Sequence, residues 1–413
     1  MTTARTSLAQ LRITRLATML PVHRAFHWLH LHQPQLRLWL LELLAIPAPT
    51  FSESARAAWF LDRFTALGLT NVHLDEAGNA LAELPSAHPA PGQPFLLVSA
   101  HLDTVFSIGT DTIPHEDGPL ILGPGACDNG AGLTGLLALI AALRYAEIAA
   151  PIPILFAANV GEEGEGDLLG MRHLFTNSAY TGRIATAIAL EGSGTTTAVT
   201  RALGSRRFRV TISGPGGHSW VDAGTPNPIT LLSRAIANLS DLPSLNSTGG
   251  DPETRTTFSP GQISGGTSIN SIPDAASVLL DLRSTDPEQL IFHAAAIENA
   301  FAAQVQQANL TAPTTLHFEP IGDRPAASLP ADSPLLDTLR AVDRHLGLRT
   351  ELRLGSTDAN LPLSLGIPAV ALASGGTGGG IHTLAEWYDP TGRETALRRI
   401  LLAILDQAQT IGT

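Results

Sequence analysis

Lysine is absent: all 25 basic residues among the 413 are arginine. Without a side-chain amine the chain cannot form a Schiff base, anchor pyridoxal phosphate or use the phosphate-cradling lysine of a P-loop. Cysteine is nearly absent as well. The single thiol, Cys127, excludes an internal disulfide and fits a reducing, cytoplasmic setting. It makes a weak nucleophile, because the neighbouring Asp128 would raise its pKa. No serine has glycines two residues away on both sides, which removes the nucleophile elbow of α/β-hydrolases, and no H-E-x-x-H occurs. Basic clusters are missing too. The net charge of −12 argues against nucleic acid or an anionic membrane as partner and suits a protein that holds cations. No apolar run is long enough to span a bilayer, and Arg5, Arg12, Arg15, His23 and Arg24 interrupt any signal-like segment.

What is present is the alternation of an α/β protein, without internal repeats and long enough for two or three domains. Residues 1–40 read as an N-terminal helical extension. Leu36–Leu44 and Glu53–Leu67 have helical periodicity around the turn at Pro47 and Pro49. Phe95–Ala100, Ile152–Val160 and Ala185–Leu190 are short apolar runs that read as buried strands, with a helix over Gly130–Tyr145. This order predicts a mostly parallel sheet covered by helices, over residues 41–201. The character then changes. Phe208–Ser213, Phe258–Ile263 and Val278–Arg283 read as strands, and Pro228–Leu239 and Pro287–Gln307 as helices. They predict an α+β domain inserted over residues 202–314, with an open sheet edge able to pair with a second copy. Residues 315–413 return to the first domain through a helix at Pro334–Leu346, a strand at Pro368–Ala373 and a closing helix at Glu394–Thr410.

Polar residues gather where those strands end. Taken singly, each has an ordinary use: His101 as a core histidine, Asp128 as the cap of the helix from Gly130, Glu191 as a solvent-facing acid, His382 as a loop residue. Their shared position changes the reading. His101, Asp128, Glu163, Glu191 and His382 supply two imidazoles and three carboxylates at one sheet edge, in glycine-rich loops or just after buried strands. That inventory suits two zinc-like ions sharing one bridging carboxylate. Asp103 is placed to accept the second N–H of the His101 ring and so orient it. Glu162 is left beside a ligand, where a second carboxylate can act as general base toward water activated by the metal.

The segments SAHLDTV, GACDNGAG, GEEGEGD, ALEG, GPGGHS and GIHT occur in this order. Together, over roughly Leu40 to Gln409, they resemble the di-zinc metallopeptidases that include carboxypeptidase G, peptidase T, aminoacylase and succinyl-diaminopimelate desuccinylase. The resemblance implies a catalytic α/β domain interrupted by a smaller lid domain used for dimerisation. It places His101 and Glu191 on one ion, Glu163 and His382 on the other, and Asp128 between them as bridge. The ions would be zinc, with cobalt or manganese as alternatives. Glu162 matches the family's general base, Asp103 its orienting aspartate, and the bond from Asp128 to Asn129 its cis peptide. His218 matches the histidine that reaches a partner subunit's site to steady the oxyanion. Asn270 and Arg283 match positions that hold the substrate's polar groups and carboxylate, and Ser356, Thr357 and Asp358 lie in a further substrate-contacting segment. The implied activity is hydrolysis of a terminal amide bond in a small peptide by a homodimer. N-acyl-amino-acid deacylation, ureido hydrolysis and non-catalytic peptide binding are the other readings.

Overall fold

A computed structural model describes residues 7–240, 245 and 255–412. The chain folds into two compact units, one running through Thr200 and resuming at Ser328, the other spanning Arg201–Ala327.

The centre of the first unit is a run of buried strands. Ile154–Asn159, Phe95–His101, Ile184–Leu190 and Ala369–Leu372 lie side by side in that order, all parallel. Their near-continuous apolar sequences are what a sheet covered on both faces requires. Antiparallel strands extend it on both sides: Ala80–Leu84 and Thr70–Leu74 beyond Ile154–Asn159, Thr197–Ala202 beyond Ala369–Leu372. The helix Gly130–Tyr145 matches its expected bounds and is buried from Gly130 to Leu143. A helix apolar all round belongs inside a fold. Pro334–Leu346 and Arg393–Ile411 also fall where expected, and among the described residues no helix is long and apolar enough to cross a membrane.

The N-terminal segment is not a separate extension. It forms Leu8–Ala17, Leu20–Leu31 and Gln33–Leu44, and the third helix runs straight through the boundary expected at residue 40. Leu36, Leu40, Leu43 and Leu44 form one buried stripe along it. Proline in the first turns of the second and third helices restarts the chain without costing a hydrogen bond. Arg12 then forks onto Asp406 at 2.7 and 2.9 Å, and Arg393 reaches Gln33 at 2.8 Å, so the segment is bonded to the closing helix.

The second unit is α+β. Its sheet runs Thr256–Gly265, Ala275–Ser284, Gly204–Ser213, Thr315–Arg324, every pairing antiparallel. Burial alternates residue by residue along Ala275–Ser284, and the inward side packs with the helices Pro228–Ser240 and Pro287–Ala308 through Val210, Val278, Leu280, Leu232, Ile297 and Phe301. The boundary expected at residue 314 falls too early, since Thr315–Arg324 pairs with Gly204–Ser213 inside this unit. Pro320 and the register shift before Gly322 disguise it as a loop in the sequence.

Arg399 and Asp343 form an enclosed ion pair. Arg399 is fully buried and bonds Asp343 at 2.6 and 3.1 Å while its remaining N–H groups meet the carbonyls of Thr196 and Thr197. Replacing Asp343 with Ala strands a buried guanidinium. Urea denaturation should show a loss of about 3–5 kcal/mol, and a loss below about 1 kcal/mol, the value of a surface pair, would contradict this account of the contact.

Candidate metal centre

Parallel neighbours place their carboxyl ends at one edge, and ligand sites in α/β sheets form there. His101 is the last residue of its strand, Glu191 directly follows Leu190, and Glu162 and Glu163 follow Ile154–Asn159 after a turn at Gly161. Asp128 precedes the central helix. His382 sits in the left-handed region, φ 64°, in the loop after the strand Thr377–Gly379.

The other four side chains gather around Asp128. Its Oδ1 lies 3.1 Å from His101 Nε2, which is 3.4 Å from Glu191 Oε1. Its Oδ2 lies 3.1 Å from His382 Nε2, which is 3.0 Å from Glu163 Oε1. Each oxygen of one carboxylate therefore faces a different imidazole–carboxylate pair. Donor atoms about 2.0–2.1 Å from a tetrahedral ion stand roughly 3.3–3.4 Å apart, so these separations suit two ions sharing Asp128.

Charge makes the same point. Burial, then the carboxylates of Glu162 and Asp128, push Glu163 up to about 7. Burial, chiefly, also holds Glu191 well above the carboxylate range. Burial opposes the charge of half-buried Asp128, yet its bonds to His101 and His382 keep it well below that range. Its bond to Asp128 is the main reason His382 rises to about 9. His101 is raised too: burial opposes its charge, but Glu191, Asp103 and Asp128 outweigh that. An enclosed set of acids that hold protons for want of countercharge is suited to cations.

Main-chain anchors fix the loops. Asp103 Oδ1 and Oδ2 accept the N–H groups of Glu162 and Glu163 at 3.0 and 2.8 Å. The His101 ring leans on Asp103 as expected, though the closer partner of Nδ1 is the carbonyl at 3.1 Å, with carboxylate Oδ1 at 3.4 Å. Glu53 accepts the N–H of Gly161 at 3.0 Å. Asn129, not Asp128, caps the central helix: its Oδ1 accepts Gly132 N–H at 3.1 Å and its Nδ2 donates to Leu190 O at 2.9 Å. A Cβ at Gly132 would collide with that side chain. Asp128 is thereby released from capping, and the bond between the two residues is cis, as the resemblance implies. Glu53 and Asn129 gave no signal in the sequence. Cys127 is buried and its thiol is pushed up to about 11, chiefly by that burial, which removes it as a nucleophile.

Residues 97–406 match the model of Peptidase family M20/M25/M40. This chain belongs to that family. Among similar proteins is a Bacillus subtilis protein, YqjE, 26% identical over 89% of this chain and 96% of its own length. A probable carboxypeptidase of Aspergillus clavatus is 29% identical over 62% of this chain, a match that spans 60% of that protein. A tripeptidase structure from Staphylococcus aureus shares the fold with a TM-score of 0.73, at 24% identity over 91% of this chain and 98% of the other. M20 membership supports a metal-dependent peptide hydrolase.

The remaining residues expected from the M20 resemblance divide. His218 and Asn270 are brought together in the second unit: His218 pairs with Ser271 in a short ladder and Ser219 N–H donates to the Asn270 carbonyl at 3.0 Å. Arg283 is paired with Asp281 at 2.6 Å, the ordinary ion pair rather than an open fork. Ser356 precedes a tight turn that buries its neighbours. Thr357 N–H donates to Asn360 Oδ1 at 2.9 Å, and Asp358 accepts from Asn159 Nδ2 at 2.8 Å. Burial and the nearby Glu162 push Asp358 up to about 7. Packing thus buries Thr357 and Asp358, two of the groups expected to touch substrate.

Ions bound at this centre would displace the retained protons. Glu163 at about 7 and His382 at about 9 both stand above their ordinary values. Their contribution to the stability of the ion-free protein is full at low pH and falls as pH rises through those values. Zn2+ affinity should therefore increase from about pH 6 to 9, with proton release on binding near pH 7. Calorimetry in buffers of different ionisation enthalpy measures both, and pH-independent affinity without proton release would contradict the assignment.

Proposed function

We propose that the chain is a dinuclear exopeptidase that cleaves a terminal amide bond of small peptides and works as a cytoplasmic homodimer. The observation that carries this reading is the split of Asp128, whose two oxygens face separate imidazole–carboxylate pairs with Glu162 anchored beside them. His101, Asp128 and Glu191 would hold one ion, and His382, Glu163 and Asp128 the other. Zinc suits these donors best, with cobalt or manganese as substitutes. When bound, such ions polarise the scissile carbonyl and make water a nucleophile at neutral pH.

The protein's own groups do the rest. Glu162, fixed through its main chain by Asp103, takes the proton of the attacking water and passes it to the leaving amine. His218, supplied by a partner subunit, donates to the oxygen that gains charge. Asn270 and Arg283 hold the substrate's polar end, Arg283 by exchanging Asp281 for a carboxylate. Ser356, Thr357 and Asp358 shape the pocket. The peptidase reading is supported by the related probable carboxypeptidase and by the fold shared with a tripeptidase.

Glu162→Gln should retain the metals and lose about 10^2- to 10^4-fold in kcat. The assay is product release by mass spectrometry from a mixed panel of dipeptides, tripeptides and N-acyl amino acids, with the zinc-loaded protein. Near-wild-type turnover by Glu162→Gln would refute its role, and cleavage of acylated substrates alone would replace the peptidase reading with a deacylase. A mixture of Glu162→Gln and His218→Ala chains, each inactive alone, should recover activity through mixed dimers. No recovery in proven mixed dimers would refute the action of His218 across subunits.

A further inference from the structure

Glu386 is a buried carboxylate outside the ligand set, 1% exposed and four residues beyond His382. Its Oε1 accepts two main-chain N–H groups, Cys127 at 2.8 Å and Asp128 at 2.7 Å, and its Oε2 accepts Gly125 at 2.8 Å. Its own main chain joins the same two segments. The Glu386 carbonyl accepts Gly123 N–H at 2.9 Å, and its N–H donates to Thr383 O at 3.1 Å, in the turn where Thr383 N–H reaches Gly380 O at 3.0 Å. One residue thus fastens the glycine-rich loop that presents Asp128 to the turn that presents His382. Asp128 and His382 meet at 3.1 Å with no direct bond between their main chains that would set this distance.

We propose that Glu386 is a positioning residue for the ion that Asp128, His382 and Glu163 would hold: by binding three N–H groups of one loop it sets the bridging carboxylate at the right reach from His382. The inference rests on the two-ion reading. Glu386 touches neither reacting atoms nor an ion. It acts through the loop, as groups behind metal ligands do when they fix ligand orientation. Burial raises its pKa, and the three N–H groups oppose that by favouring the anion. Gln keeps the volume but only one acceptor oxygen, so Glu386→Gln must give up either the Oε2 bond or the Oε1 pair.

The test is Zn2+ titration in competition with a chromogenic chelator, on wild type, Glu386→Gln and Glu386→Ala, beside urea unfolding of the ion-free proteins. One of the two ions should bind about 10- to 100-fold more weakly in Glu386→Gln, and more weakly still in Glu386→Ala, with the other ion less affected. Both ions bound with wild-type affinity would overturn the proposal, even if the ion-free variants unfold at lower urea, because that outcome marks a merely structural clamp. If Glu386→Ala does not fold, Glu386→Gln decides. A wild-type control that binds no pair of ions would instead overturn the two-ion reading, and this inference with it.

Discussion

Three carboxylates held within hydrogen-bonding reach of two imidazoles, with His101 and Glu163 buried and His382 exposed, are the constraint on which the rest of the first unit depends. Like charges at this range repel strongly in a low dielectric and are tolerated only with protons or cations between them. Asp128 keeps its charge by bonding both imidazoles, whereas Glu163 and Glu191 are pushed toward protonation. Loops carrying such groups would spread apart if they were not tied. The structure ties them from behind: Asp103 holds the Glu162–Glu163 main chain, Glu53 the Gly161 turn, Asn129 the end of the strand before Glu191, and Glu386 the loop before Asp128. Most of these ties are a side-chain oxygen accepting a main-chain N–H, a bond that fixes a loop's path as well as its charge.

The sheet makes that arrangement economical. Parallel order places His101, Glu191 and the Glu162–Glu163 loop at one edge, and register sets His101 opposite Asn159. Asp358 is bonded to this edge, since Asn159 Nδ2 donates to it. Buried Arg56, which bonds the carbonyls of Ile46 and Leu102, links the strand end to the helical segment before it; burial drives its pKa down to about 10. The N-terminal helices, bonded through Arg12 and Gln33, complete the packing of the closing helix that follows the His382 loop.

Much of this was legible in the sequence. A buried parallel strand has no alternation to confuse it, so the apolar runs before His101, Glu162 and Glu191 gave both the sheet and the edge at which ligands gather. The ties were not legible. Glu386 meets Cys127 and Asp128 across 259 and 258 residues, and its partners are main-chain N–H groups that carry no sequence signature. The inward bonding of Thr357 and Asp358 was hidden for a related reason, since a polar residue in a loop motif reads alike whether it faces solvent or, like Asp358, a buried amide such as Asn159. The domain boundary at 314 failed because Pro320 and a bulge interrupt the alternation of Thr315–Arg324. The boundary at 40 failed because composition changes there while helix periodicity does not.

The central claim is that Asp128 stands between two ions. Anomalous diffraction at the zinc edge from crystals of the zinc-loaded protein tests it most directly. The account predicts two peaks per chain about 3.5–4 Å apart, one against Asp128 Oδ1 with His101 and Glu191, the other against Oδ2 with His382 and Glu163. A single peak at full occupancy, or two peaks without Asp128 between them, would contradict it.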